Sequence, residues 1–231
     1  VAQSPECELV SVQKIWDQAP HNAFTDLVRW NNKFYCAFRE GEHHVGDKGN
    51  LRVISSSDGS AWVSAAILSH EVYDLRDAAL SITADGRLMV LGGVQLVEDG
   101  KRQSGTFVSF SQDGVNFSEP HVVIPPGRWL WRVTDHPDGT SYGVDYRAER
   151  GDNASRLLKT SDGIHYETVV DRFLTEGDWP TEARVRFGTD GKAYCLHRVD
   201  GSNDAAGRLG IAAAPFTNWE WFDLGIRIGG P

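Results

Sequence analysis

The sequence is short of several things, and each shortage excludes a class. Three cysteines in 231 residues, Cys7, Cys36 and Cys195, cannot close a disulfide framework, and none lies in a Cys-x-x-Cys pair of the kind that binds metal. Cys36 and Cys195 fall in the apolar, strand-like runs Phe34–Phe38 and Ala193–Leu196, where each reads as a small buried hydrophobe. No apolar run is long enough to span a bilayer, which argues against membrane insertion. Positive charge is also scarce: 23 Lys and Arg stand against 32 Asp and Glu, a net charge of −9. Such a surface offers nothing to nucleic acid or to an anionic membrane. No segment keeps a helical period over three turns.

What is present is turn-forming residue and core-forming residue together. The chain has 24 glycines, 9 prolines and a 40% hydrophobic fraction, enough apolar material for a core and too much for disorder. One seven-residue pattern, Ser/Thr-x-Asp-Gly-x-x-aromatic, occurs three times, in Ser56–Trp62, Ser111–Phe117 and Thr160–Tyr166. Its aspartates, Asp58, Asp113 and Asp162, stand about 50 residues apart, and a further step of that size reaches Ala213–Trp219, a decayed fourth copy. Asp-Gly supplies the positive φ and the short carboxylate that a hairpin turn requires. A second set of turns lies halfway between: Asn31-Asn32, Asp85-Gly86, Asp138-Gly139 and Asp190-Gly191.

Strand-like runs flank every turn, so each unit of about 50 residues holds four antiparallel strands. That is the blade of a β-propeller. The units fall at residues 23–71, 72–127, 128–178 and 179–228, in one all-β domain over 1–231, with residues 8–15 left as an orphan outer strand that would clasp another blade. Two readings are open: four blades of a larger ring, its parent six-bladed, or a complete ring of four.

Equivalent inner-strand positions of a propeller face one axial funnel. Asp77 and Glu182 lie eight residues before Asp85 and Asp190, and Ala23 lies eight before Asn31. Arg39, Tyr146 and Arg198 lie eight beyond Asn31, Asp138 and Asp190, with Gly93 in the matching slot of the second unit. Charged side chains there either build a mixed-sign pocket or pair as salt bridges that tie blades together. Arg76, Arg132, Asp145 and Arg184 are their neighbours, and Trp129, Trp131 and Trp179, near inner-strand starts, are candidate sugar-stacking faces.

The turns, their spacing and the flanking strands resemble the Asp-box (BNR) repeats of the sialidase (neuraminidase) superfamily, and more narrowly bacterial sialidase-like proteins. The resemblance implies a cluster of three arginines for the sugar carboxylate, an Asp acid/base, and a Tyr nucleophile activated by a Glu. Ala23 stands where the family's first arginine opens an Arg-Ile-Pro motif. Asp47, after Arg39-Glu40-Gly41, matches the acid/base; otherwise it is a solvated loop carboxylate beside Lys48 and Gly49. Glu182 and Arg198 match the Glu and Arg of the fourth blade, and the third arginine and the tyrosine belong to a fifth and sixth blade outside these residues. The resemblance therefore implies catalytic Asp47 and Glu182 with Arg198 on the substrate, and the inner-strand positions add Arg39, Asp77, Tyr146, Trp129 and Trp131 around a glycan. The implied activity is exo-acting hydrolysis of acidic sugars with an incomplete catalytic set; the alternative is a non-catalytic carbohydrate-binding or interaction propeller. No cofactor and no metal is expected, and the resemblance favours a secreted or periplasmic location.

Overall fold

The computed structural model describes residues 8–98, 101–149, 154–175, 179–201 and 205–230; Cys7 lies outside them. They form sixteen strands and no helix. The first sheet contains β1 (His21–Trp30), β2 (Lys33–Gly41), β3 (Asn50–Ser56) and β4 (Val63–Leu68). The second contains β5 (Asp74–Ile82), β6 (Leu88–Glu98), β7 (Lys101–Ser111) and β8 (His121–Ile124). The third contains β9 (Arg128–Asp135), β10 (Ser141–Arg147), β11 (Arg156–Thr160) and β12 (Glu167–Val170), and the fourth β13 (Trp179–Phe187), β14 (Lys192–Asp200), β15 (Arg208–Ala213) and β16 (Glu220–Asp223). Every sheet is antiparallel with its strands in chain order. The chain is a β-propeller of four-stranded blades. Strand alternation builds the core: on β14, Ala193, Cys195, His197 and Val199 are buried toward a neighbouring sheet, and the residues between them are half-exposed.

The repeated turn has one hydrogen-bond plan. The hydroxyls of Ser56, Ser111 and Thr160 each donate to the aspartate two residues on, at 3.1 Å. Each hydroxyl also accepts from the glycine N–H, at 2.8–3.0 Å. The N–H groups of Ser60 and Ala61 hold Asp58 below the usual carboxylate range, and those of Asn116 and Val115 do the same for Asp113. The fourth copy keeps the shape without the chemistry. Phe216 takes the glycine position at φ +65°, and Trp219 Nε1 donates to its carbonyl at 2.7 Å, as Trp62 Nε1 does to Gly59 at 3.0 Å.

Because strands alternate in direction, both sets of turns lie on one face of the propeller. The β2–β3-type loops and the connections between blades lie on the other. The inner strands pack in sequence, β1 on β5, β5 on β9 and β9 on β13, while β13 does not pack on β1 in this way. Turns stitch neighbouring blades: Trp30 Nε1 donates to the Gly86 carbonyl at 2.9 Å, and Gly114 sits so close to Tyr35 that a Cβ there would collide with the phenol.

Residues 8–18 join none of the four sheets, so the segment expected at 8–15 to clasp another blade pairs with none of the blades described. Each of the four sheets already has four strands, leaving no outer edge for it to complete. Instead Ile15 and Trp16 lie over Cys36, Phe38 and Ile54, while Leu9, Val10 and Val12 stay exposed.

Counting from the turns misaligns the inner strands, because the bulge near the loop-face end of each does not lie at the same distance from the turn in every blade. The register shifts between Ala23 and Asp26, Arg76 and Ala79, Leu130 and Val133, and Pro180 and Ala183. Asp77 therefore shares its slot with Phe24, Trp131 and Thr181, whereas Glu182 shares one with Thr25, Ala78 and Arg132. Arg39 and Arg198 are not equivalent either. Arg198 lies opposite its bulge, and Arg39 lies one residue beyond its own, paired with Ala23, so the two turn to opposite sides of their sheets.

Candidate functional site

On the loop face, the 42–49 loop is wound around a guanidinium. Arg39 is fully buried, with Nε donating to Asp74 Oδ1 at 2.9 Å, Nη1 to the His43 carbonyl at 2.7 Å and Nη2 to Asp47 Oδ1 at 3.3 Å. Gly41 and Gly49 border it so closely that a Cβ on either would strike the guanidinium. Asp47 also accepts from the N–H groups of Glu42 at 2.7 Å and His43 at 3.2 Å. Desolvation opposes its charge, but those bonds and Arg39 outweigh it and hold the carboxyl below its ordinary range. Arg39 and Asp47 are thus occupied in building the loop.

The bulge of β5 turns Asp77 inward at φ +53°. Its neighbour Arg76 donates through Nε to Asp77 Oδ2 at 3.0 Å and through Nη1 to Gln95 Oε1 at 3.3 Å; Nη1 also lies 3.7 Å from Asp74 Oδ2. Arg76 covers the ring of Phe24 at 5.1 Å. Burial pushes the Asp77 carboxyl up, against the pull of Arg76, Arg132 and His44.

The bulge of β13 presents Glu182. Arg198 Nη1 donates to Glu182 Oε2 at 2.9 Å and Arg198 Nε to Asp200 Oδ1 at 3.0 Å, while Thr181 Oγ1 donates to Asp200 Oδ2 at 3.0 Å. Burial raises the Glu182 carboxyl, Arg198 lowers it, and the negative charges of Asp77 and Asp200 raise it further. Tyr146 is pushed well above the ordinary phenol range by burial and then by Glu182 and Asp77. These groups come from the second, third and fourth blades and share one electrostatic environment at the head of the axis.

The aromatic residues form the wall of this region. Trp129 and Trp131 meet edge to face at 6.1 Å, and Trp129 stacks on Tyr146 at 6.4 Å and 9°. Only 8%, 9% and 6% of Trp129, Trp131 and Tyr146 is exposed, so their faces are taken up by one another. Trp129 occupies the space a Cβ on Gly93 would need, and its buried Nε1 has no hydrogen-bond partner. Trp179 donates from Nε1 to the Arg147 carbonyl at 3.1 Å. Arg132 and Arg184 lie further along the axis, beside Asp26, and Asp145 is buried between Arg128 and Arg156.

Sequence reasoning missed Asp74, Gln95, Thr181 and Asp200. Asp200 had a signal, since it lies two residues after Arg198 on a strand and so shares its face. Asp74 had none, because its partner Arg39 belongs to another blade. A cavity of about 200 Å³ opens between the first two blades, lined by Asp47, Lys48, Val72, Asp74, Gln95 and Leu96. Among the described residues, no group of three or more His, Cys, Asp or Glu side chains is arranged to hold a metal.

No sequence-family profile and no curated protein matches the chain. Solved structures do match its fold. A protein of unknown function from Dyadobacter fermentans superposes with a TM-score of 0.77 at 18% identity, over 90% of this chain and 70% of that one. The family-32 β-fructofuranosidase of Bombyx mori gives 0.58 at 16%, over 84% of this chain and 48% of the enzyme. Trypanosoma rangeli sialidase gives 0.62 at 14%, over 87% of this chain and 37% of the sialidase. Family-43 and family-117 glycoside hydrolases share the fold as well. The chain spans about half the length of the silkworm enzyme. At these identities the likeness is one of architecture.

Proposed function

We propose that this propeller is carbohydrate-active and that Asp77 and Glu182 are the carboxyl pair of a glycoside hydrolase site at the head of its axis. One observation carries this: two carboxyls from different blades, each aimed by a bulge and each lifted by burial, with the charge of one raising the other. Glycosidases divide acid and base work between two such groups, and a carboxyl whose proton is held more firmly than usual by burial and a neighbouring anion is suited to donate. Glu182, raised by both Asp77 and Asp200, acts as the proton donor to the glycosidic oxygen. Asp77 is the partner carboxylate, serving as base or nucleophile. Its positive φ is a strained conformation for a residue with a side chain, of the kind retained at working sites. The solved structures that share the fold include glycoside hydrolases of several families, which agrees with this reading.

The sialidase-type scheme has less support. It would require Asp47 to act as acid and a tyrosine to act as nucleophile. Asp47 is held in its charged form by loop N–H groups and Arg39, and Tyr146 is walled in and far from ionising. The second reading, glycan binding without cleavage, draws on the guanidinium already on each carboxyl, Arg76 on Asp77 and Arg198 on Glu182.

A panel of 4-methylumbelliferyl glycosides, a sialoside among them, tests the proposal. Turnover should drop at least about 100-fold in both Asp77→Asn and Glu182→Gln, within the range that acid–base groups contribute. Turnover surviving both substitutions overturns it. Saturable glycan binding without turnover of any member establishes the second reading instead.

A further inference from the structure

The arginines at the loop face carry an inference about charge. Arg39 lies against Asp74 (2.9 Å) and Asp47 (3.3 Å), Arg76 against Asp77 (3.0 Å) and Asp74 (3.7 Å), and Arg198 against Glu182 (2.9 Å) and Asp200 (3.0 Å). Each guanidinium thus faces two carboxylates of its own chain. Five carboxylates share these three guanidinium groups and the more exposed Arg227, 3.8 Å from Asp200, so one negative charge is left over, and Arg39 is buried beyond the reach of any ligand.

We propose that the site takes an uncharged glycosyl unit and rejects sugars that carry a carboxylate, such as uronic or sialic acids. The inference rests on the carbohydrate reading above and names the substrate class of the same site.

The physical argument has two steps. A sugar carboxylate is recognised by a guanidinium whose N–H fork is free to make paired bonds. Here two of the three nitrogens of Arg76 and Arg198 are taken: Nε of Arg76 by Asp77 and its Nη1 by Gln95, Nε of Arg198 by Asp200 and its Nη1 by Glu182. An incoming carboxylate would have to displace a carboxylate already placed and hydrogen-bonded, and would join a cluster with acidic excess. Like charges brought together in a partly dry site oppose binding strongly. A hydroxyl meets neither obstacle. It can donate to the remaining lone pairs of Glu182, Asp77 or Asp200 while the ion pairs stay in place. The same pairing makes Ala23 intelligible, since a sugar without a carboxylate needs no arginine there.

The test is calorimetric binding of two sets of methyl glycosides to the full chain. The neutral set comprises glucose, galactose, xylose, fructose and N-acetylgalactosamine; the acidic set comprises glucuronic, galacturonic and sialic acids. At least one neutral member should bind, with every acidic member at least about tenfold weaker at low ionic strength, and added salt should narrow the gap through screening. In Asp200→Asn, which keeps an acceptor for Nε of Arg198 but removes a negative charge beside it, the acidic members should gain several-fold relative to the neutral ones. An acidic glycoside binding as tightly as the best neutral one overturns the inference and leaves the carbohydrate reading intact. A gap that ignores both salt and Asp200→Asn also overturns it. Failure of every glycoside to bind overturns both.

Discussion

Arg39 of the first blade donates through Nε to Asp74 of the second at 2.9 Å, and neither side chain is more than 9% exposed. Gly49 N–H donates to the same Asp74 oxygen at 2.8 Å, so one carboxylate anchors both the 42–49 loop and the seam between two blades. Removing one partner of a buried pair leaves a charge without compensation, which costs about 3–5 kcal/mol. Arg39→Ala should therefore lower unfolding free energy by about that amount in urea titration. Arg39→Lys should recover little of it, because a single ammonium cannot reproduce the bonds made by Nε, Nη1 and Nη2. Near-wild-type stability of Arg39→Lys would mean that the pair contributes only through charge.

His197 predicts a dependence on acid. It is fully buried on the seam between the third and fourth blades, with Nε2 2.9 Å from Ser155 Oγ and Nδ1 3.0 Å from the Arg198 carbonyl. The carbonyl can only accept, so Nδ1 carries the proton and the Ser155 hydroxyl donates to Nε2. Burial pushes the imidazole down to about 4, from an ordinary 6.5. Between those values the unfolded chain takes up a proton that the folded chain refuses. The stability contributed by neutral His197 is thus complete above pH 6.5 and lost as pH falls toward 4. The loss is about 3 kcal/mol at 1.36 kcal/mol per unit. His197→Gln should be less stable at neutral pH and show a flatter profile across this window. A variant as acid-sensitive as the wild type would place the titration elsewhere.

Asp77 and Glu182 have the opposite sign. Their carboxyls are raised above the unfolded values of 3.8 and 4.5, so their contribution to stability is present below those values and declines as pH rises through the folded ones. At neutral pH both groups cost stability, as residues retained for work often do. Glu182→Gln should raise Tm by a few degrees at pH 7–8 while abolishing turnover, since Arg198 keeps Asp200. In Asp77→Asn, with a side chain that tolerates positive φ, that gain is partly offset because the buried Arg76 loses its nearest carboxylate. The gain should vanish near pH 4. A lower Tm in both would identify them as structural members of salt bridges.

The repeat was legible because its chemistry is local. A Ser or Thr hydroxyl, an aspartate and a glycine close the turn among residues within a few positions of one another, so Ser56, Ser111 and Thr160 announce their hairpins without reference to the rest of the chain. The site was only half legible. Asp77 and Glu182 could be found by counting back from Asp85 and Asp190, yet their side chains are aimed by bulges that the count does not see. Arg39 and Arg198 share a count and not a role for a different reason: two residues separate the paired ends Trp30 and Lys33, five separate Phe187 and Ala193, and that odd difference puts the two arginines on opposite faces. Ala213–Trp219 shows the converse: its turn survives with neither the hydroxyl, the aspartate nor the glycine, because packing holds it.

That last turn allows two effects to be weighed at Phe216. Its φ of +65° is unfavourable for a side chain, and relieving such strain with glycine is worth about 1–3 kcal/mol. Yet Phe216 is 3% exposed and packs against Tyr142 at 5.5 Å and Phe187 at 5.3 Å, so its ring joins the third and fourth blades. Deleting a buried phenylalanine costs about 3–5 kcal/mol, more than the strain it relieves. Phe216→Gly should therefore destabilise by about 1–3 kcal/mol, although it restores the residue found in the other three turns. At Gly59, where the only side-chain neighbour of an added Cβ is the Phe34 ring at 3.8 Å, Gly59→Phe should lose stability through strain alone, without any packing gain. Urea titration of the pair measures the two effects separately. An increase in stability for Phe216→Gly would show that the strained backbone outweighs the aromatic seam.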